Sequence, residues 1–231
     1  MGFKGVLIDF GDTLAYFDEE ANKRFAKALL KAVRKRGHQT NLDDLASALK
    51  YCYSNSTKGE VKSLREFWSL FLKKLDISHI SEDSALVKDF EKVRSDHIAV
   101  LFKLHDGCFS TLSALQRKYK LALVSNCSIG TDESLAALGL TSFFNCVILS
   151  YEVGARKPEK RMYVEALECL RLEASECIFV ADEISDLEGA RAVGLKTMLV
   201  RQGSLTFYEA KDPDFQPDFE CNHISDIAKF I

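Results

Sequence analysis

The chain has 231 residues, 47% of them hydrophobic and 28% charged, with a formal net charge of -3. This is the balance of a soluble globular protein, long enough for one large domain or for a core domain with an insert. No global basic field argues for nucleic acid, and no apolar run reaches the length of a membrane span. The first ten residues, MGFKGVLIDF, lack the shape of a signal peptide. The expected location is therefore cytoplasmic. The seven cysteines form no CxxC pair, so reduced thiols are expected, with Cys146 and Cys177 packing as small hydrophobes.

Five short apolar runs read as strands: 4–8, 120–124, 146–150, 177–181 and 196–200. They are continuous rather than alternating, as expected of strands covered on both faces. Helical patterns around 109–118, 130–138, 158–171 and 185–193 separate the later runs. This alternation predicts an α/β fold with a Rossmann-like parallel-sheet core. Residues 15–104 break the rhythm and read as an inserted helical domain, with the core formed by 1–14 and 105–231. Phe25, Leu29 and Val33 mark a first helix, widened by Ala26 and Leu30. Leu42, Leu45 and Leu49 mark a second. Leu64, Phe67, Leu70 and Phe71 mark a third, and Leu86, Phe90 and Val93 a fourth. No strand is evident in the insert; 53–60 reads as its clearest loop and His105–Gly107 as the return hinge. The basic run along 21–37 is expected to be a solvated helix face. The tail, 201–231, is expected to hold a short edge strand and a final helix, and no function is assigned to it.

In an open parallel sheet, ligands bind beyond the carboxyl ends of the strands. Three strands end there in polar groups: the first in Asp9, the second in Ser125-Asn126 and the fourth in Asp182. Lys157 follows the third strand and can reach the same edge. This set suits phosphoryl transfer. An aspartate can act as nucleophile. Lys157, the Ser125 hydroxyl and the Asn126 backbone N–H supply positive charge and donors for a phosphoryl group. Asp9 and Asp182 can share Mg²⁺. On the residues alone, simpler explanations stand beside these. Ser125 can begin a turn, Lys157-Pro158 can open a helix, Asp186 can be a favourable first-turn acid, and Thr13 can be a turn hydroxyl.

Four segments in order, LIDFGDTL, LALVSN, EVGARKPEKRMY and IFVADEISDLEGARAVGL, with a helical insert after the first, resemble the haloacid dehalogenase superfamily. The resemblance covers residues 4 to about 200 and is closest to phosphatases with a helical cap. It implies Asp9 as nucleophile and Ser125 and Lys157 as phosphate ligands. It implies Mg²⁺ on Asp9, Asp182 and the Gly11 carbonyl, with Asp186 as a further acidic ligand or as an orienter of metal-bound water. The expected substrate is a small phosphorylated metabolite, with no nucleic-acid or membrane partner.

One position departs from the pattern. Such phosphatases carry a second Asp two residues after the nucleophile, as acid and base, and this chain has Gly11 there. Positioned acid–base groups contribute typically 10²–10⁴ in rate. Asp12 and His105 are candidate substitutes, although neighbouring residues of an extended chain point to opposite sides, which argues Asp12 away from the place of the missing acid. Haloacid dehalogenase chemistry, phosphonatase chemistry with a lysine among Lys50, Lys58 and Lys62, and non-catalytic phosphate binding are the alternative readings.

Overall fold

The computed structural model describes residues 2–77, 84–202 and 214–231. The expected strands form. β1 is Gly5–Ile8, and a short β2, Ala15–Phe17, follows the first strand-end loop. Four helices come next: α1 Glu19–Lys35, α2 Leu42–Thr57, α3 Leu64–Lys74 and α4 Ala85–His97. β3, Phe102–Leu104, returns the chain to α5, Cys108–Gln116. β4 Lys120–Ser125, α6 Thr131–Ala137, β5 Cys146–Leu149, α7 Ser150–Val153 and α8 Lys160–Leu170 continue the alternation. β6 Cys177–Ala181, α9 Ile184–Ala192, β7 Lys196–Val200 and β8 Phe219–Cys221 complete it.

The main sheet has the order β5-β4-β1-β6-β7-β8 and is parallel throughout. β1 lies between β4 and β6, with Val6 level with Leu121 on one side and Ile178 on the other. Successive side chains of a strand face opposite sides. Val6, Ile8, Leu123 and Val180 therefore pack into one buried cluster, while Leu7, Val124 and Phe179 pack into the other. With both faces covered, polarity is free to appear only at the strand ends, where Asp9, Ser125 and Asp182 stand.

The helical insert has a core of its own. Phe25, Leu29 and Val33 of α1 meet Leu45 and Leu49 of α2, Trp68 and Phe71 of α3, and Phe90 of α4. Each of its helices begins on a side-chain N-cap: Asp18, Asn41, Ser63 and Ser84 accept from Ala21, Asp44, Glu66 and Val87 N–H groups respectively. The basic residues of α1 are exposed, as expected of a solvated face.

Four expectations need correction. The insert is bounded by paired strands: β2 and β3 are antiparallel, with Tyr16 opposite Lys103. Three residues are too few to leave a period-2 signature in sequence. The stretch 53–60 is mostly helix, since α2 runs to Thr57; its Ser and Asn residues suggested a loop, but packing of Cys52 and Ser56 in the interior overrides that propensity. Cys146 does not pack as a free thiol. It forms a disulfide with Cys169, S–S 2.00 Å, joining β5 to α8 across a separation of 23 residues. The other five cysteines are free and buried, Cys177 among them. The final helix of the tail is a 3₁₀ segment, Ile224–Lys229; the edge strand is β8, and the part of the tail between 203 and 213 lies outside the described residues.

Candidate active site at the strand ends

The loops beyond β1, β4, β5 and β6 bring the expected residues together. The Lys157 ammonium lies 2.7 Å from Asp9 Oδ1 and 2.6 Å from Asp186 Oδ2. All three side chains are at least nine-tenths buried. Asp9 extends β1 by one residue, donating its N–H to the Val180 carbonyl at 2.9 Å. Asp182 follows β6 at once. Its N–H donates to Thr13 Oγ1 (3.1 Å), and that hydroxyl donates back to Asp182 Oδ1 (3.0 Å). Thr13 is fully buried, so its turn hydroxyl ties the first strand-end loop to the fourth motif. Ser125 is the last residue of β4, 2% exposed.

Asn126 also plays a part that the sequence did not suggest. The sequence suggested its backbone N–H as a donor to the ligand. In the structure its side chain clamps the Lys157 backbone, with Lys157 N–H donating to Oδ1 (2.8 Å) and Nδ2 donating to the Lys157 carbonyl (3.0 Å). Two further positioning contacts left little sequence signal. The Tyr163 hydroxyl donates to the Asp186 carbonyl at 2.7 Å. Gly189 of α9 lies so close to the Lys157-Pro158 turn that an added Cβ would sit 2.5 Å from the Pro158 carbonyl oxygen. A glycine inside a helical pattern is the one cue that could have marked that close approach.

The electrostatics follow from burial. Burial is the largest influence on Asp9 and pushes its carboxyl up; Lys157 opposes this and Asp186 adds to it, and the net shift is upward. Asp182 is pushed up to about 7, first by burial and then by the charge of Asp9, against the stabilising Thr13 hydrogen bond. Burial alone would weaken the Lys157 ammonium, but Asp186 and Asp9 outweigh it and hold the proton more tightly than usual. Asp9 and Asp186 thus share a single ammonium, and Asp182 feels the charge of Asp9. Negative charge is in excess even before Glu183, whose carboxyl is also raised, is counted. Such a cluster suits a divalent cation. Among the described residues no three His, Cys, Asp or Glu side chains converge into a metal-holding group. A cation here would rest on Asp9, Asp182 and carbonyl, phosphate and water oxygens, a set that Mg²⁺ accepts. Asp186 faces Lys157 instead.

The Gly11 carbonyl accepts the Thr13 N–H at 2.6 Å, leaving its second lone pair. Gly11 itself is exposed, and a Cβ built on it meets nothing within 4 Å. Asp12 has φ +53°, a left-handed conformation that breaks the strand alternation on which its orientation was argued. It lines the cleft, as do Gly11, His105, Ser125 and Asn126. His105 Nε2 lies 3.1 Å from the Asp12 carbonyl. A carbonyl can only accept, so Nε2 carries the proton. Burial lowers the His105 pKa, which keeps the ring neutral at pH 7.

Above this floor opens a cleft of about 1130 Å³, walled on one side by the strand-end loops and on the other by α1, α2 and β2 of the insert. The two walls are latched at one end. Ile129 N–H donates to Ser56 Oγ (2.7 Å), and Ser150 Oγ donates to the Thr57 carbonyl (3.2 Å).

A family model described as haloacid dehalogenase-like hydrolase matches residues 45–200, more than half of the chain. A glyceraldehyde 3-phosphate phosphatase of Methanopyrus kandleri is 28% identical over 99% of this chain and 97% of its own length. A pyrophosphatase of Halalkalibacterium halodurans, PpaX, is 26% identical over 69% of this chain and 73% of its own. Among solved structures, a 2-haloacid dehalogenase from Pseudomonas syringae pv. Tomato superposes with a TM-score of 0.74 at 20% identity, covering 98% of this chain and 97% of that one. A HAD phosphatase from Thermococcus onnurineus gives 0.67 at 24%, covering 99% and 97%. The structural likenesses speak for the fold, and the family match speaks for the lineage: the chain belongs to the haloacid dehalogenase-like hydrolases.

Proposed function

We propose that this hydrolase is a Mg²⁺-dependent phosphohydrolase that works through a phospho-aspartate at Asp9. The observation that carries the reading is the buried Asp9–Lys157–Asp186 ion-pair chain at the strand ends, with Ser125 beside it under the cleft. The phosphatase names of the relatives over most or all of this chain support it.

In the first half-reaction an Asp9 carboxylate oxygen bonds to phosphorus as the ester P–O bond breaks, and the leaving group departs with the electron pair as an alkoxide or phenoxide that takes its proton from solvent. In the second, water attacks the same phosphorus and gives up a proton to solvent, the Asp9 oxygen leaves as carboxylate, and inorganic phosphate departs. Lys157 and the Ser125 hydroxyl hold the phosphoryl oxygens through both steps. Asp186 keeps Lys157 charged and aimed, and Asn126 fixes its backbone. Asp9, Asp182 and the Gly11 carbonyl would hold Mg²⁺, which would supply positive charge to offset repulsion between nucleophile and anionic substrate. The helical insert serves as the cap that limits water at the reacting centre.

Gly11 contributes no proton, so the reaction favours leaving groups that depart as stable anions. Two other chemistries avoid the same proton, and specific observations weigh against them. Phosphonatase chemistry needs a desolvated cap lysine, and Lys50, Lys58 and Lys62 are all exposed. Halide displacement has no use for the Thr13-anchored Asp182 beside Asp9. Hydrolysis of p-nitrophenyl phosphate tests the proposal. Mg²⁺-dependent release of nitrophenolate, lost in Asp9→Asn, is expected. Absence of both turnover and a trapped phospho-enzyme would leave only phosphate binding.

A further inference from the structure

The two walls of the cleft differ in chemistry. The floor is polar, formed by Asp12, His105, Ser125 and Asn126. The opposite wall is rich in rings and apolar groups, Tyr16, Phe17, Ala26, Leu49, Tyr53 and Phe102, with Glu19, Asn22, Lys23 and Lys50 also on it. Two of these rings are presented openly. Phe17 is 54% exposed and Tyr16 39% exposed, both on the three-residue strand that borders the cleft. Neither is a stray surface residue. Phe17 is backed by Phe102 at 4.4 Å between ring centres, and Tyr16 by His105 at 5.0 Å. Backed rings of this kind form a stable stacking surface. A cleft of about 1130 Å³ also exceeds what a three-carbon phosphate fills, since pockets of 300–1,000 Å³ suit drug-sized ligands.

We infer that the substrate is a phosphate monoester with a flat, apolar body, aromatic in the simplest case, whose ring lies against Phe17 and Tyr53 while its phosphate reaches Ser125 and Lys157. This rests on the phosphohydrolase reading and narrows it. It also departs from the polar triose phosphate named for the M. kandleri relative. The missing acid at Gly11 points the same way independently, because phenols leave without a proton donor more readily than alkanols. Lys50 stands at the rim of the same cleft and has no ion-pair partner among the described residues, so a ring bearing a second anionic group can be met there.

Two comparisons separate ring recognition from leaving-group chemistry. The first sets 2-naphthylmethyl phosphate against glycerol 3-phosphate with Mg²⁺ present; both release an aliphatic alkoxide, so kcat/KM differs through the body alone. The apolar ester is expected to be favoured by at least about tenfold, the worth of burying one ring. Phe17→Ala, an exposed position whose truncation leaves the core intact, should cut that ratio several-fold. A ratio of one or less, or a ratio unmoved by Phe17→Ala, overturns the inference. The second uses 2-naphthylmethylphosphonate, which cannot be hydrolysed, in titration calorimetry against methylphosphonate. Tighter binding of the naphthyl compound in a protein that hydrolyses nothing would sustain the ring site and sink the phosphatase reading. Equal binding in an active enzyme would do the reverse.

Discussion

The floor and the roof of the cleft are built by opposite means. The floor is a set of charges taken out of water, each held by another: Asp9 by Lys157, Lys157 by Asp186, Asp182 by Thr13. The roof is a set of rings left partly in water and backed by further rings. Buried charge needs fixed partners, so its geometry is over-determined. Exposed rings need only a backing, so they are free to differ from one relative to the next. On the proposed function, the chemistry belongs to the floor and the choice of substrate to the roof.

The sharpest way to break this division is to remove the nucleophile. Asp9→Asn should lower turnover of every phosphate ester by at least about a thousandfold. It should leave binding of the naphthyl phosphonate intact, as measured by calorimetry, and should not unfold the protein, because it removes one of several crowded carboxylates. Loss of ring binding in this variant would show that floor and roof are not separable.

Next in size is Lys157→Met. This leaves Asp9 and Asp186 buried without their shared cation, and truncating one member of a buried ion pair costs about 3–5 kcal/mol. A large fall in melting temperature accompanies loss of activity. The double change Lys157→Met with Asp186→Asn should recover part of the stability and none of the turnover. Failure to recover would mean that the Asp9–Lys157 contact, rather than Asp186, is the one that matters to folding.

The same contrast explains what the sequence disclosed. Asp9, Ser125 and Asp182 were legible because a hydrophobic strand that ends in a polar residue at the sheet edge is conspicuous in a one-dimensional string. Lys157 was legible from its place after β5. The four insert helices announced themselves through apolar spacing. What escaped was whatever depends on three-dimensional neighbours. The Asn126 clamp on Lys157 joins residues 31 apart. Cys146 looks like a core thiol until β5 and α8 are packed together and Cys169 meets it. β2 and β3 are too short to show a period, yet they carry Tyr16 and Phe17 to the cleft. Asp12 was argued away from the site by strand alternation, and its left-handed backbone cancels that argument.

A smaller effect probes the floor without altering it. In the absence of a cation the Asp182 carboxyl titrates at about 7 in the folded protein, raised by burial and by Asp9. In the unfolded chain an aspartate titrates near 3.9. Between these values the folded state holds a proton that the unfolded state has lost, so stability falls as pH rises from about 4 to about 7. Metal-free protein should accordingly melt lower at pH 7.5 than at pH 5.5, by several degrees. Mg²⁺ should raise the melting temperature at pH 7.5 far more than at pH 5.5, where protons compete for the same oxygens. Asp182→Asn should flatten both responses. A metal-free protein that is more stable at the higher pH would contradict the excess of negative charge assigned to the floor.

The finest test lies where floor meets roof, at Gly11. A side chain there meets nothing within 4 Å, and the Gly11 backbone already borders the cleft. Gly11→Asp therefore adds a carboxyl group that can reach a leaving oxygen without repacking. If the missing proton limits turnover, the variant gains about 100-fold on alkyl phosphates, the lower end of the usual acid–base range, and little on p-nitrophenyl phosphate. The dependence of rate on leaving-group pKa becomes flatter. His105 sets the alternative. Its Nε2 proton is directed at the Asp12 carbonyl, and its lowered pKa leaves the ring neutral. A neutral imidazole already donating to a backbone oxygen is a poor acid. His105→Ala should consequently change the alkyl-to-aryl rate ratio little in the natural chain. If His105→Ala instead removes alkyl ester turnover and Gly11→Asp restores it, then the histidine is the substitute acid. The preference for good leaving groups would then belong to the aromatic roof alone.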